Sequence, residues 1–177
     1  MIGQQQKDQA EKWFKDLRDR ICEEFEILEE DHLKLDPKSD MVAKKFERKS
    51  TIRETDDKED GGGGVMATLK GGRIFEKVGV NVSAVYGNLA PEAQKSITAR
   101  KAIPELKDDP RFWASGISLV AHMRNPHTPA IHLNTRMFWT PHAWWFGGGT
   151  DLNPSIENDD DTNFFHQTLK KKCDKHN

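Results

Sequence analysis

Apolar and polar side chains alternate along residues 112–123, and this two-residue period constrains the fold more than any other feature of the sequence. Successive side chains of a β-strand point to opposite faces of a sheet. One side of this segment therefore carries Trp113, Ile117, Leu119 and Met123, and the other carries Ala114, Gly116, Ser118, Val120 and His122. In residues 130–140 the same period separates Ile131, Leu133 and Met137 from His132, Asn134 and Arg136. Both segments are predicted to be strands with one apolar and one polar side.

The surrounding patterns predict an α+β fold in which an antiparallel sheet is flanked by helices. Helical spacing of apolar residues predicts helices at 5–30 and, after an acidic first turn, through 164–169 to Lys170–Lys172. Three further strands are predicted to form a β-meander over residues 65–69, 73–78 and 80–86, with Lys70-Gly71-Gly72 as the first turn. Residues 88–110 are expected to be a connection that contains a short helix at 91–98.

A length of 177 residues and a hydrophobic fraction of 35% fit a single domain, residues 1–177, with a modest core. Within it, residues 32–60 carry Pro37, many charges and no sustained period. This composition predicts a mobile charged segment, with at most a short strand or turn near Phe46.

Several classes of partner and location are disfavoured by composition. No apolar run reaches the roughly 18–20 residues that span a bilayer, and no membrane insertion is expected. The net charge is -2, and basic residues are mixed with acidic ones, which argues against nucleic acid as the main ligand. Cys22 and Cys173 lie on apolar stripes of predicted helices, so we expect buried free thiols and a cytoplasmic protein.

The two alternating strands also predict a site. If they pair as an antiparallel hairpin with like faces together, the best register sets His122 opposite His132, Val120 opposite Asn134 and Ser118 opposite Arg136. These side chains would form one polar patch. The plainer interpretation is the solvated side of an antiparallel sheet. Two facing histidines supply half of a tetrahedral metal shell, and His166 is a candidate third ligand.

Glycine runs and an aromatic cluster are weaker indications of a ligand. Glycines at 61–64, 71–72 and 147–149 let the backbone approach a ligand, although tight turns at strand ends are the more common explanation. Because none matches a nucleotide-binding motif, a nucleotide is not expected. Trp144, Trp145 and Phe146 could wall a flat aromatic ligand or form a buried cluster.

An ordered series of motifs resembles the oxygen-dependent coproporphyrinogen III oxidase family. The tetraglycine Gly61–Gly64 is followed by the segment Phe75–Ser83, which resembles the FEK-x-GVN-x-S pattern of that family. The later motifs occur in the family's order: Gly116–His122, Asn125-Pro126, Pro129, His132–Arg136 and Trp144–Pro154. The similarity extends from about residue 10 to the C-terminus, and the chain resembles the N-terminal part of a longer member.

The resemblance implies a reaction and a set of roles. Ser118, Asn134, Thr135 and Arg136 would contact the substrate, and His132 would donate a proton. His122, His132 and His166 match metal-liganding positions of bacterial members, so a divalent metal such as manganese is implied. The implied reaction is oxidative decarboxylation of two propionates of coproporphyrinogen III, with O2 as co-substrate and no organic cofactor. A homodimer is also expected.

Two features limit these expectations. The acidic stretch Glu54–Asp60 follows Arg53 where family members carry an aromatic-x-Arg step before the tetraglycine, so no role is assigned to Arg53. Family members are also longer, and the chain is expected to hold only part of the active site. The alternatives are a non-catalytic module that binds tetrapyrroles or metals, and a small metal-dependent hydrolase built on the three histidines.

Overall fold

A computed structural model describes residues 3–55 and 58–176 of the chain. The described residues form one antiparallel sheet, whose strands lie side by side in sequence order: β1 Glu47–Glu54, β2 Asp60–Lys70, β3 Phe75–Asn88, β4 Arg111–Met123, β5 Ala130–Trp139 and β6 Trp144–Asn153. The helices are α1 Gln4–Leu35, α2 Pro91–Lys101 and α3 Asp159–Asp174, with a 3-10 helix at Pro104–Lys107. The predicted α+β class is confirmed.

The core lies between α1 and the middle of the sheet. Helix α1 packs against β3 and β4 and buries Phe14 and Cys22 against side chains such as Val80, Ile117 and Leu119. Along β4 every second residue from Trp113 to Ala121 is buried, which confirms the predicted alternation. The face of the sheet opposite α1, called here the open face, keeps its side chains half-buried or exposed. This face carries Ser118, Asn134 and Arg136.

A buried carboxylate joins α1 to the turn between β2 and β3. Glu29 has no exposed surface and accepts hydrogen bonds from the backbone N–H groups of Arg73 (2.6 Å), Ile74 (2.9 Å), Phe75 (3.0 Å) and Lys44 (3.3 Å). Gly72 lies so close that a Cβ there would overlap the carboxylate oxygens. The helix and the turn are therefore held together by charge-assisted hydrogen bonds to a fully buried carboxylate.

The structure corrects the expectation for residues 32–60 in part, since only residues 36–46 and the described residues between β1 and β2 are irregular. Helix α1 continues to Leu35, and β1 occupies Glu47–Glu54, although the sequence predicts an irregular segment. Strand β1 is held by backbone pairing with β2, while all but one of its side chains are exposed. An edge strand of this kind carries no apolar alternation, because neither of its faces is buried. Asp56 and Asp57, in the acidic stretch, lie outside the described residues.

Two other strands differ from expectation. The two predicted strands at 73–78 and 80–86 are one strand, β3, which begins at Phe75 and is irregular only between Phe75 and Lys77. The sequence does not predict strand β6, because three consecutive glycines at 147–149 disfavour a strand on propensity alone. Cys22 is buried as expected, whereas Cys173 is exposed. Among the helices of residues 3–55 and 58–176, none contains an apolar stretch of the length needed to span a bilayer.

Candidate functional site

A row of polar residues crosses the middle of the open face. Ser118 in β4 lies between Asn81 in β3 and Asn134 in β5, and Asn134 in turn lies opposite Gly149 in β6. The Oδ1 atom of Asn81 is buried and has no hydrogen-bond partner among residues 3–55 and 58–176. A buried amide oxygen without a partner is costly, so this position favours a ligand or water that donates a hydrogen bond.

The register of the β4–β5 hairpin differs by two residues from the predicted one. Val120 pairs with His132, Ser118 with Asn134, and Gly116 with Arg136. The faces were predicted correctly, because strand parity is the same in both registers. The turn is a β-turn in which Thr128 N–H donates to Asn125 O, and it shifts the centre of the hairpin by one residue. His122 and His132 therefore share a face without facing each other.

His132 is paired with an aspartate from β6. Its Nδ1 lies 2.7 Å from Asp151 Oδ1, and the two residues are register partners. Hydrogen bonds from His132 and then from Asn153 hold the pKa of the Asp151 carboxyl below its ordinary value. The ionised carboxylate accepts the Nδ1 proton, which leaves Nε2 as the ring nitrogen available to a ligand. The role of Asp151 was not predicted from sequence, because it depends on the unexpected strand β6.

Arg136 lies between two glycines of the neighbouring strands, which have no side chains to cover it. It is exposed, and its Nη2 donates to Asn134 Oδ1 at 3.3 Å. Its partners in the neighbouring strands are Gly116 and Gly147. A Cβ at Gly116 would lie 2.7 Å from Arg136 Cβ, so a larger residue would displace the arginine. The guanidinium is thus accessible for a bidentate contact with a carboxylate.

Thr135 does not join this group. Strand alternation places it on the face of α1, between Ile117 and Gly148 in the register. Of the predicted substrate-contacting residues, Ser118, Asn134 and Arg136 share the open face, and Thr135 is on the other side of the sheet.

An aromatic row borders one end of the open face. Phe112, Phe138 and Trp145 are stacked, with ring centroids 5.6 Å and 4.9 Å apart. Arg53 lies 5.6 Å from the Phe112 ring, and the Lys101 amine lies 5.3 Å from the Trp145 ring. Trp144 and Phe146 point to the opposite face and are 48% and 58% exposed. Only Trp145 of the three clustered aromatics can therefore border a ligand on the open face.

The three predicted metal ligands are not brought together. Across the described part of the chain, no group of three or more His, Cys, Asp or Glu side chains is arranged to hold a metal ion. His122 is exposed beside Lys77, and His166 is exposed on α3. The residues present do not fit a metal, and the ligand set stays a prediction from the resemblance.

A cavity of about 1180 Å³ lies away from this patch, beside the first turn of α1. Lys7, Tyr86, Arg111, Trp113 and Trp139 are among its lining residues. The Lys7 amine lies 3.4 Å from the centroid of the Trp139 ring, and burial, followed by the charge of Arg111, lowers the pKa of Lys7. Acidic side chains at the cavity offset these basic groups, and it presents no single ligand chemistry.

Comparison with known proteins gives a consistent result. A family model described as Coproporphyrinogen III oxidase matches residues 9–177. The chain is 44% identical over 170 residues to the oxygen-dependent coproporphyrinogen-III oxidase of Rickettsia felis, covering 96% of this chain and 55% of that protein. It is 41% identical over 175 residues to the enzyme of the same name from Rickettsia bellii, covering 99% and 57%. The chain thus spans a little over half the length of these relatives.

Proposed function

The chain belongs to the coproporphyrinogen III oxidase family, and we propose that its open face forms part of the substrate site of an oxygen-dependent coproporphyrinogen III oxidase. The observation that carries the proposal is the convergence of Ser118, Asn134, Arg136 and the His132–Asp151 pair on one accessible face. In the proposed reaction, a propionate side chain, O2 and one proton give a vinyl group, CO2 and H2O2. Two propionates, on rings A and B, react in turn.

The chemistry of the substrate fits this face in two respects. A reduced tetrapyrrole carries carboxylates at its edge, for which Arg136 supplies a bidentate donor beside two glycines. It carries pyrrole N–H groups at its centre, for which the Asn81 and Asn134 amide oxygens are acceptors. Asn81 Oδ1 has no partner within the described chain, and because it is buried, the side chain must turn outward to accept such a hydrogen bond.

His132 is the group suited to supply the proton. When the propionate enters as a carboxylate, converting O2 to H2O2 requires one proton from outside the substrate. An imidazole is suited to general acid–base work, and Asp151 accepts the hydrogen bond from its Nδ1 and fixes the orientation of the ring. Nε2 is then the atom that exchanges a proton with a ligand on the open face. Asp151 is assigned here as a positioning residue for His132.

Substitution of Arg136 tests the site directly. In Arg136→Ala the dissociation constant for coproporphyrin III, a stable oxidised analogue, is expected to rise at least about tenfold, because a charge-assisted contact is lost. Fluorescence titration measures this, with Arg100→Ala on the exposed surface of α2 as the matched loss of one arginine. Equal affinities of the two variants would contradict the proposed site.

Turnover distinguishes the oxidase from a binding module. Because the chain is expected to hold only part of the active site, incubation with coproporphyrinogen III under air should give protoporphyrinogen IX more slowly than a full-length relative does, and none without O2. Tetrapyrrole binding with no O2-dependent product would instead indicate a non-catalytic module.

A homodimer in the cytoplasm is part of the same proposal and is supported by the family resemblance alone. Light scattering measures the molar mass: twice the chain mass of 20.2 kDa is expected, and a monomeric mass at micromolar concentration would contradict it. Cell fractionation tests the location.

A further inference from the structure

A second cationic group lies on the open face, at the end away from the aromatic row. Lys70 at the end of β2 is the register partner of Lys77 in β3, and Lys77 is the partner of His122 in β4. The three side chains are exposed. Leu69 and Val78, their neighbours in sequence, are fully buried on the α1 side, so Lys70 and Lys77 must point to the open face.

The two lysines face each other without a compensating charge. Within the described residues, the ion pairs that lysines make involve Lys12, Lys15, Lys34, Lys45 and Lys170. Like charges directly opposite each other on neighbouring strands destabilise a sheet. Glu47, the nearest acid on this face by register, lies opposite Thr68 one row away, and Glu76 lies in the irregular part of β3. A bound anion would relieve the repulsion between the two ammonium groups.

The position of this pair relative to Arg136 defines the kind of anion. The Lys77 row meets β4 at His122, and the Arg136 row meets it at Gly116. Six residues of strand correspond to roughly 20 Å between the backbones of the two rows. The lysine and arginine side chains can extend toward each other, so the distance between their charged groups can be shorter. One ligand can contact both groups only if it is broad and carries anionic groups at opposite edges.

We propose that Lys70 and Lys77 bind one edge carboxylate of a polycarboxylate tetrapyrrole whose opposite edge is bound by Arg136. This inference rests on the proposed function and adds a second subsite to it. The order of rows along β4 is then lysine pair, His132–Asp151, Asn81–Ser118–Asn134 and Arg136. The carboxylate edge held by the lysines lies one row from His132, so the lysine pair determines which edge of the ligand is presented to that histidine.

The test is the double variant Lys70→Gln/Lys77→Gln, titrated with two porphyrins. Coproporphyrin III carries four carboxylates around the ring, whereas protoporphyrin IX carries two on neighbouring rings and cannot contact both subsites. The dissociation constant of the variant for coproporphyrin III should rise about tenfold, equivalent to about 1.4 kcal/mol. The dissociation constant of the variant for protoporphyrin IX should change less. The ratio of the two dissociation constants, which measures the preference for coproporphyrin III, should therefore decrease.

Two controls separate the subsite from general effects. Lys95→Gln/Lys107→Gln removes the same charge from exposed positions outside the sheet and should leave both affinities within about twofold, since screened distant charges contribute little. Without ligand, the Lys70/Lys77 variant should melt at or above the wild-type temperature, because it loses a like-charge contact. A lower melting temperature would indicate that the lysines support the sheet and would contradict the inference.

The remaining outcomes distinguish the subsite from the proposed function. If Arg136→Ala weakens coproporphyrin III binding and the Lys70/Lys77 variant does not, the lysine subsite is wrong and the proposed substrate face stands. If the wild-type chain binds neither porphyrin, both are wrong.

Discussion

At the scale of single residues, Glu29 has the clearest structural consequence. Its fully buried carboxylate accepts four backbone N–H groups from two segments, so replacing one acceptor oxygen by an NH2 group sets donors against donors. We expect Glu29→Gln to lower the free energy of unfolding by about 3 kcal/mol, the range for a broken buried charged network. Urea denaturation followed by tryptophan fluorescence measures this change.

The adjacent Glu30→Gln is the matched control. Glu30 is exposed, and its contact with Lys45 is 3.5 Å long, so its loss should cost less than about 0.5 kcal/mol. Similar losses in the two variants would show that the buried hydrogen bonds of Glu29 do not stabilise the chain.

The side of the sheet on which a residue lies was predictable, and its partner was not. Ser118, Asn134 and Arg136 were placed on one polar face because alternation depends only on local strand geometry. The sequence predicts Arg136 as the partner of Ser118, whereas the structure pairs Ser118 with Asn134. The difference comes from the Asn125–Thr128 turn, which sets the register of the hairpin. The partners of His132 and Glu29 lie 19 and up to 46 residues away in sequence, and a local pattern carries no information about them.

At the scale of elements, strand β6 makes a testable distinction between neighbouring glycines. A Cβ at Gly148 would overlap the backbone oxygen of Asn134 in β5, whereas a Cβ at Gly149 would meet no heavy atom within 4 Å in the described structure. Gly148→Ala should therefore weaken the β5–β6 pairing and cost about 1–3 kcal/mol, as overpacking does. Gly149→Ala should leave stability unchanged or raise it by up to about 1 kcal/mol, because it restricts the unfolded chain.

Thermal or urea unfolding of both variants checks this, and amide exchange in β5 shows where the pairing is lost. Equal stabilities of the two alanine variants would mean that β6 does not approach β5 as described. The test also bears on the site, because Asp151 reaches His132 only when β6 is paired with β5.

The elements that could be predicted are those with one buried face. Strands β2 to β5 and helix α1 contribute to the core and show its periodicity in their sequences. Strands β1 and β6 are the two edges of the sheet, and neither shows an apolar alternation. Their positions follow from backbone hydrogen bonding to β2 and β5, which depends weakly on side-chain type.

At the scale of the whole molecule, the sheet is covered unevenly. Strands follow one another in sequence order, so every pairing is between neighbours in the chain, yet α1 packs mainly against the central pair β3 and β4. The open face is accessible because no described helix crosses it in the way that α1 crosses the other face. The same asymmetry buries one face as a core and leaves polar residues on the other, where the substrate site is proposed.

This arrangement predicts a gradient of local stability from the centre of the sheet to its edges. Amides of β3 and β4 are paired on both sides and lie beneath α1, so their exchange requires opening of the core. The amides of β1 pair only with β2 in the described structure, and β1 is almost wholly exposed.

In native-state hydrogen exchange, the amides of Val80, Val82, Ile117 and Leu119 should exchange by global unfolding and be the slowest. Paired amides of β1 should exchange at least about a hundredfold faster, because local opening of an edge strand costs several kcal/mol less. Similar protection of β1 and β4 would show that the edge is covered by contacts that this arrangement does not contain.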